Sequence, residues 1–134
     1  MWPFSLSMFG LKKNSDFAAV YHSGKSYANR YLIMYAMKNG TDSMRIGISV
    51  SKKVGNSVVR HRVKRLIKES CRLHEIQFKQ GYDLVIIARK SAAGRSYDEI
   101  ESAVLHLTGL HHIRLPHEEA ETESVKEHFP GTDV

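Results

Sequence analysis

Between residues 57 and 74 the apolar side chains Val59, Val63, Leu66, Ile67 and Cys71 recur at helical spacing. Such a stripe needs a core on one side only, so the chain must lay a long helix on its own surface and leave the helix's back outside. That back is strongly cationic. From Lys52 to Glu69, eighteen residues hold seven Lys or Arg and a single acid, Glu69. Solvated helix faces usually interleave both signs so that side chains four apart attract. Here Arg60, Lys64 and Lys68 stack like charges four apart, with Arg62, Arg65 and Arg72 around them, an arrangement that costs stability until a polyanion relieves it. Lys52, Lys53 and Gly55 precede the helix N-terminus, where free backbone N–H groups and the helix dipole favour phosphate. Asn56 or Ser57 can cap it.

The rest of the chain supplies the support. Asn14 is expected to cap a short helix that carries Phe17, Val20 and Tyr21 at i, i+3 and i+4 and stops at Gly24. "RYLIMYAMKN" alternates Tyr31, Ile33, Tyr35 and Met37 with Leu32, Met34 and Ala36, which is strand periodicity with two usable faces. After a turn at "GTDS", "MRIGISVSK" alternates Ile46, Ile48 and Val50 with Arg45, Gly47, Ser49 and Ser51, a half-buried strand with a small, basic second face. "YDLVIIAR" is an apolar run of strand length. A last helix opens on a capping box, Ser96 with Glu99, ahead of Ile100, Val104 and Leu107. The order helix, strand, strand, helix, strand, helix predicts an α+β fold, a two-layer sandwich of a small mixed sheet with helices over one face.

With 134 residues the chain is long enough for one domain. Residues 1–10 read as a loose extension, 11–116 as a single RNA-binding domain, and 117–134 as an acidic tail expected to stay disordered. Residues 1–116 hold nineteen Lys/Arg against eight Asp/Glu, a net of +11, and residues 117–134 hold one Lys against six acids, a net of −5. A basic body suggests a polyanion partner. The tail is read either as a solubilising appendage or as a weak occupant of the same basic surface. The one cysteine, Cys71, lies in the helix's apolar stripe and reads as a buried structural thiol. No apolar stretch approaches the roughly 20 residues needed to span a bilayer, and the lysines follow the apolar start rather than precede it, unlike a signal peptide. A cytoplasmic protein is expected, with no membrane partner.

RNA is the better partner than DNA. A basic helix that reads a DNA groove usually comes in a helix-turn-helix or a zipper dimer, and neither pattern is visible. Phe17, Tyr21 and Tyr35 suit stacking on unpaired bases, although each alone is also an ordinary core residue. Metal-dependent phosphodiesterases gather several carboxylates. Here Asp16, Asp42, Glu69, Glu75, Asp83, Asp98, Glu99 and Glu101 are scattered, mostly in caps and turns. His22, His61, His74 and His106 share no motif, and His111–His112 reads as helix-end decoration. The chain alone is not expected to be a catalyst.

"KKVGNSVVRHRVKRLIKE" resembles the Lys-Lys-x-Gly-Asn-Ala-Val-x-Arg-Asn-Arg-x-Lys-Arg signature of the bacterial ribonuclease P protein subunits. The likeness extends to "LKKNSDFAAVYHSGKSYANRYLIMYAM" before it and "YDLVIIARKSA" after it, about residues 11–108. The resemblance implies a partner RNA subunit that performs the chemistry, and an endoribonuclease complex that removes the 5′ leader of precursor tRNA by Mg²⁺-dependent hydrolysis. Mg²⁺ would be held mainly by that RNA and the substrate, with none bound tightly by the protein. It also implies a left-handed strand–helix–strand crossover. Carried over, Lys52, Lys53, Gly55, Asn56, Arg60, His61, Arg62, Lys64, Arg65 and Lys68 would face the RNA subunit. Phe17, Tyr21, Tyr35, Arg45, Ser49, Arg89 and Lys90 would line or edge a cleft for the leader of precursor tRNA. His61 stands where the signature has asparagine, and residues 1–10 and the acidic tail lie outside the likeness. The main rival is a structural RNA-binding protein of ribosomal-protein type; a protein-only nuclease is the rival from another class.

Overall fold

A helix, α1 (Asn14–Ser23), leads into a hairpin of β1 (Lys25–Ala28) and β2 (Leu32–Lys38), then β3 (Arg45–Ser49), the basic helix α2 (Ser57–Leu73), β4 (Tyr82–Ala88) and α3 (Tyr97–Leu110). These elements come from a computed structural model, which describes residues 8–115. Most of the extension, residues 1–7, and the acidic tail lie outside the described residues. The sheet runs β1-β2-β4-β3. β4 is antiparallel to β2 and parallel to β3, so the sheet is mixed and the fold is α+β, as expected.

The sequence patterns account for these elements. β4 is the apolar run because it has a neighbour on both edges and cover on both faces: Asp83, Leu84, Val85 and Ile86 are all buried. α2 buries Val63, Ile67, Ser70 and Cys71 and half-buries Val59 and Leu66. The capping box of α3 is formed in full by Ser96 and Glu99. Leu32, Met34 and Ala36 of β2 alternate with Ile33, Tyr35 and Met37, and only the first set is buried.

Three features differ from the sequence reading. The chain has an additional strand, β1, whose four residues are mostly exposed; so short and polar a segment carries no period-two signal, and it exists because β2 offers a free edge. Asn14 is the first helical residue of α1 rather than its cap, and the extended residue before it, Lys13, makes no side-chain cap bond. The helices also cover more than one face. α2 and α3 pack with Leu32, Met34, Leu84 and Ile86 in the main core, whereas α1 lies on the opposite face, where Val20 and Leu11 meet Val85 beside Phe17, Tyr35, Met37 and Ile87. Met8, from the extension, is buried in the main core.

His111 is more than helix-end decoration. It follows α3 and turns inward, its Nε2 2.9 Å from the Met34 carbonyl oxygen and its ring edge-on to Tyr27 at 4.7 Å. Burial pushes its pKa below the ordinary imidazole value, outweighing the bond to Met34 that acts the other way. The folded chain therefore keeps His111 neutral, while the unfolded chain takes up a proton below about pH 6.5. The stability this confers is present above that pH and lost as the pH falls toward the lower folded value. Thermal melts from pH 7 to 5 should show the native protein losing melting temperature faster than His111→Gln, which keeps a donor for Met34. Parallel curves would assign the acid sensitivity to other groups.

Candidate nucleic-acid interface

Two walls make the site: the outward side of α2 and the sheet face that carries α1. A turn leads into α2, with Val54 N–H donating to Ser51 O at 3.0 Å and Gly55 N–H to Lys52 O at 3.2 Å. The turn leaves Lys52 and Lys53 exposed while Val54 is buried. A Cβ on Gly55 would sit 2.7 Å from the Val59 side chain, so this position must be small whether or not phosphate approaches. Asn56 is the N-cap, its side chain accepting from Val59 N–H at 3.0 Å. Its amide oxygen is thereby committed to the helix.

The cations of α2 divide by angle around the helix axis. Arg62 is tied inward, donating to the Arg95 carbonyl oxygen at 3.0 Å, and Arg60 folds back onto Gly55 O at 3.1 Å. Both are half-buried. His61 and Arg65 stand on the exposed crest, with Ser57, Val58 and Arg62 around the same shallow depression. Lys64 and Lys68, four apart, border an open groove of about 390 Å³ whose other walls are Phe9, Leu11, Lys12, Phe17, Ile46, Gly47 and Ile48. The Lys68 ammonium lies 5.6 Å from the centre of the Phe9 ring, within cation–π reach. Lys64 and Lys68, read from the sequence as RNA-subunit contacts, thus share a groove with Phe17, read as a leader contact. Phe9 and Lys12 are groove residues that sequence reasoning did not single out. Their signal in the sequence is a single aromatic, Phe9, followed by the pair Lys12–Lys13 just ahead of α1.

On the sheet side, Phe17, Tyr21 and Tyr35 do come together. Phe17 and Tyr21 are edge-on at 6.3 Å, and Tyr21 and Tyr35 edge-on at 5.0 Å. Tyr21 is 40% exposed. Burial, and then Tyr35, raise its pKa above the ordinary phenol value, while a hydrogen bond with Ser49 acts to lower it. The phenol is therefore neutral at physiological pH, and part of the side chain is open to solvent. Arg45 is less available than its position suggested. It forms a two-pronged bond with Asp83, Nε to Oδ1 at 3.0 Å and Nη2 to Oδ2 at 2.7 Å, and its Nη1 lies 3.8 Å from Asp16 of α1. Its charge is largely balanced, and it braces α1 against the sheet. Arg89 donates to Asn29 O at 2.8 Å and Lys90 is exposed; both follow the end of β4.

The two carboxylates by the cleft, Asp16 and Asp83, both face the Arg45 guanidinium. Among the described residues no three His, Cys, Asp or Glu side chains gather as metal ligands would. No described helix is long and apolar enough to cross a membrane. The described surface thus sets an exposed cationic ridge and three edge-on, partly exposed aromatic rings on the same domain.

A family model for ribonuclease P matches residues 9–111. The chain belongs to the ribonuclease P protein family. It is 55% identical over 103 residues to the ribonuclease P protein component of Lachnoclostridium phytofermentans, covering 77% of this chain and 89% of that protein. Among solved structures, the RNase P protein of Staphylococcus aureus superposes with a TM-score of 0.71 at 37% identity, over 76% of this chain and 94% of that one. The RNase P protein from Thermotoga maritima gives 0.67 at 30% identity, over 71% and 90%. The ribonuclease P match takes in every helix and strand described above and stops at residue 111, so the acidic residues 117–134 lie outside the matched region.

Proposed function

We propose that this chain is the protein subunit of a ribonuclease P ribonucleoprotein, acting in the cytoplasm with a catalytic RNA to remove the 5′ leader from precursor tRNA. The observation that carries the reading is the groove in which Lys64 and Lys68 face Phe17, because it joins a phosphate-binding ridge to a base-stacking wall in a member of this family. The crest of α2, with His61 and Arg65, binds RNA-subunit phosphates. Phe17, Tyr21 and Tyr35 take the single-stranded leader, with Ser49 and Arg45 holding Tyr21 and α1 in place. Mg²⁺ belongs to the RNA and the substrate phosphates; the chain contributes position and charge, and no step of hydrolysis runs through its side chains.

Cleavage of precursor tRNA by the protein alone, by a ribonuclease P RNA alone, and by both at low Mg²⁺ tests the proposal. Strong enhancement only by the combination is expected. Cleavage by protein alone would overturn it in favour of a nuclease, and RNA binding without enhancement would favour a structural RNA-binding protein. The leader site has its own test in Tyr21→Ala. Each stacked base is worth about 1–3 kcal/mol, so precursor tRNA should bind more weakly by that amount. Mature tRNA binding should not change, and because Tyr21 is half open the melting temperature should barely move. An equal loss for both tRNAs would make Tyr21 a packing residue.

A further inference from the structure

The cationic ridge has almost no acidic counterpart within the described body. Glu69, the one acid on α2, is engaged by Arg72, and the other described ion pairs involve Arg45, His74 and Arg95. None of them reaches Lys64, Arg65 or Lys68. The chain's missing negative charge is in residues 117–134, six acids against one lysine, and the fold fixes where that segment begins. Leu115 N–H donates to Gln77 O at 2.7 Å, and Arg114 forms an antiparallel bridge with Phe78. Gln77 lies in the single turn, Glu75–Gln77, that follows the end of α2. The acidic segment is thus rooted beside the C-terminal end of the basic helix.

Length and charge both suit a return along that helix. α2 has 17 residues and is about 25 Å long. The thirteen residues from Leu115 to Glu127 reach about 40 Å when extended, and they carry Glu118, Glu119, Glu121, Glu123 and Glu127. We propose that this acidic segment docks on the outward side of α2, over Lys64, Arg65 and Lys68, and competes there with loosely held polyanions. A tethered segment acts at a high effective concentration without tight contacts, and its attraction fades once the screening length drops below the charge separation. An RNA partner that also fills the aromatic cleft displaces the segment; an arbitrary RNA, held by phosphates alone, must overcome it. If the ridge is covered about nine-tenths of the time, apparent affinity for such an RNA falls about tenfold.

The proposal rests on the reading of α2 as a polyanion-binding face, and two measurements on the full chain separate the two ideas. Carbodiimide coupling of carboxylates to lysines, mapped by mass spectrometry, needs no RNA. Glu118 to Glu127 should couple mainly to Lys64 and Lys68 at low salt and lose those links at high salt. Lys79, whose backbone N–H bonds Ile113 O, sits beside the root and serves as the proximity control. Links confined to Lys79, or spread evenly over Lys12, Lys25 and Lys38, would overturn docking. The second measurement compares the native chain with a variant carrying E118Q, E119Q, E121Q, E123Q, E127Q and D133N. The variant should bind a short oligouridine about threefold to tenfold more tightly at low salt, with the difference gone at high salt. Equal affinities would overturn the competition. Links on Lys64 and Lys68 with no oligouridine binding by either protein would instead uphold docking and refute α2 as the RNA-binding face.

Discussion

Asp83→Ala is expected to cost about 2–3 kcal/mol of stability and to change how the protein responds to acid. Asp83 is 2% exposed and takes two bonds from Arg45 and one from Asn39 at 2.9 Å. Breaking a buried ion pair from one side costs about 3–5 kcal/mol. The figure is smaller here because the Arg45 side chain is 40% exposed and can turn to water. Burial alone would raise the Asp83 pKa, but the Arg45 and Asn39 hydrogen bonds together with the Arg45 charge outweigh it and hold the carboxyl below its ordinary value. The stability it confers is therefore complete above the unfolded carboxyl's pKa, near 3.9, and is lost as the pH falls through the lower folded value. Urea titrations at pH 7 and at pH 3 should show the gap between native and variant shrinking in acid. A constant gap would mean that Asp83 acts by shape and not by charge. Asp83→Asn, which keeps the shape, should fall between the two at pH 7.

The second large effect is expected at Gly47→Ala. A Cβ there would lie 2.6 Å from Cζ of Phe17, closer than real Cβ contacts come, and 3.0 Å from the Leu11 carbonyl oxygen, a tight contact. The ring of Phe17 must move and the Leu11 carbonyl must give slightly, and overpacking of this kind costs about 1–3 kcal/mol. The functional loss should be the greater one. Phe17 forms a wall of the groove with Lys64 and Lys68, and a displaced ring also loses its edge contact with Tyr21. Losing one or two stacked bases corresponds to about 10- to 100-fold in precursor tRNA affinity. Binding titrations with precursor and mature tRNA, run beside thermal melts, separate the outcomes. A lowered melting temperature with precursor affinity unchanged would show that Phe17 only fills space above the sheet.

Much of this was legible from local pattern. Val59, Val63, Ile67 and Cys71 announce α2 because a 3.6-residue period and a one-sided core leave little else for them to do. Ser96 and Glu99 announce the start of α3 because a capping box is satisfied within four residues. What escaped depends on partners distant in sequence. β1 is a strand only because the edge of β2 accepts it. α1 buries Val20 alone among its ten residues, so nothing in its sequence says which side of the sheet it takes. Arg62 is indistinguishable from Arg65 as a letter; the Arg95 carbonyl, 33 residues on, removes one from the exposed crest and leaves the other. Arg45 likewise reads as a free cation until Asp83 and Asp16 arrive beside it. His111 shows no sign, in a His-His pair at a helix end, of reaching the Met34 carbonyl.

β4 is the last of the described strands and sits between β2 and β3, which has a consequence for how the chain is made. A nascent chain ending before Tyr82 holds β2 and β3 with no strand between them. The floor beneath α2 then lacks Leu84, Ile86 and Ala88. The pairs that complete the sheet join Leu32 to Ala88 and Arg45 to Asp83, separations that make closure slow compared with forming the β1–β2 hairpin. Folding cannot proceed piecewise from the N-terminus but must wait for the middle of the sheet to be synthesised. A fragment that stops short of β4 carries the charge of the interface without its shape.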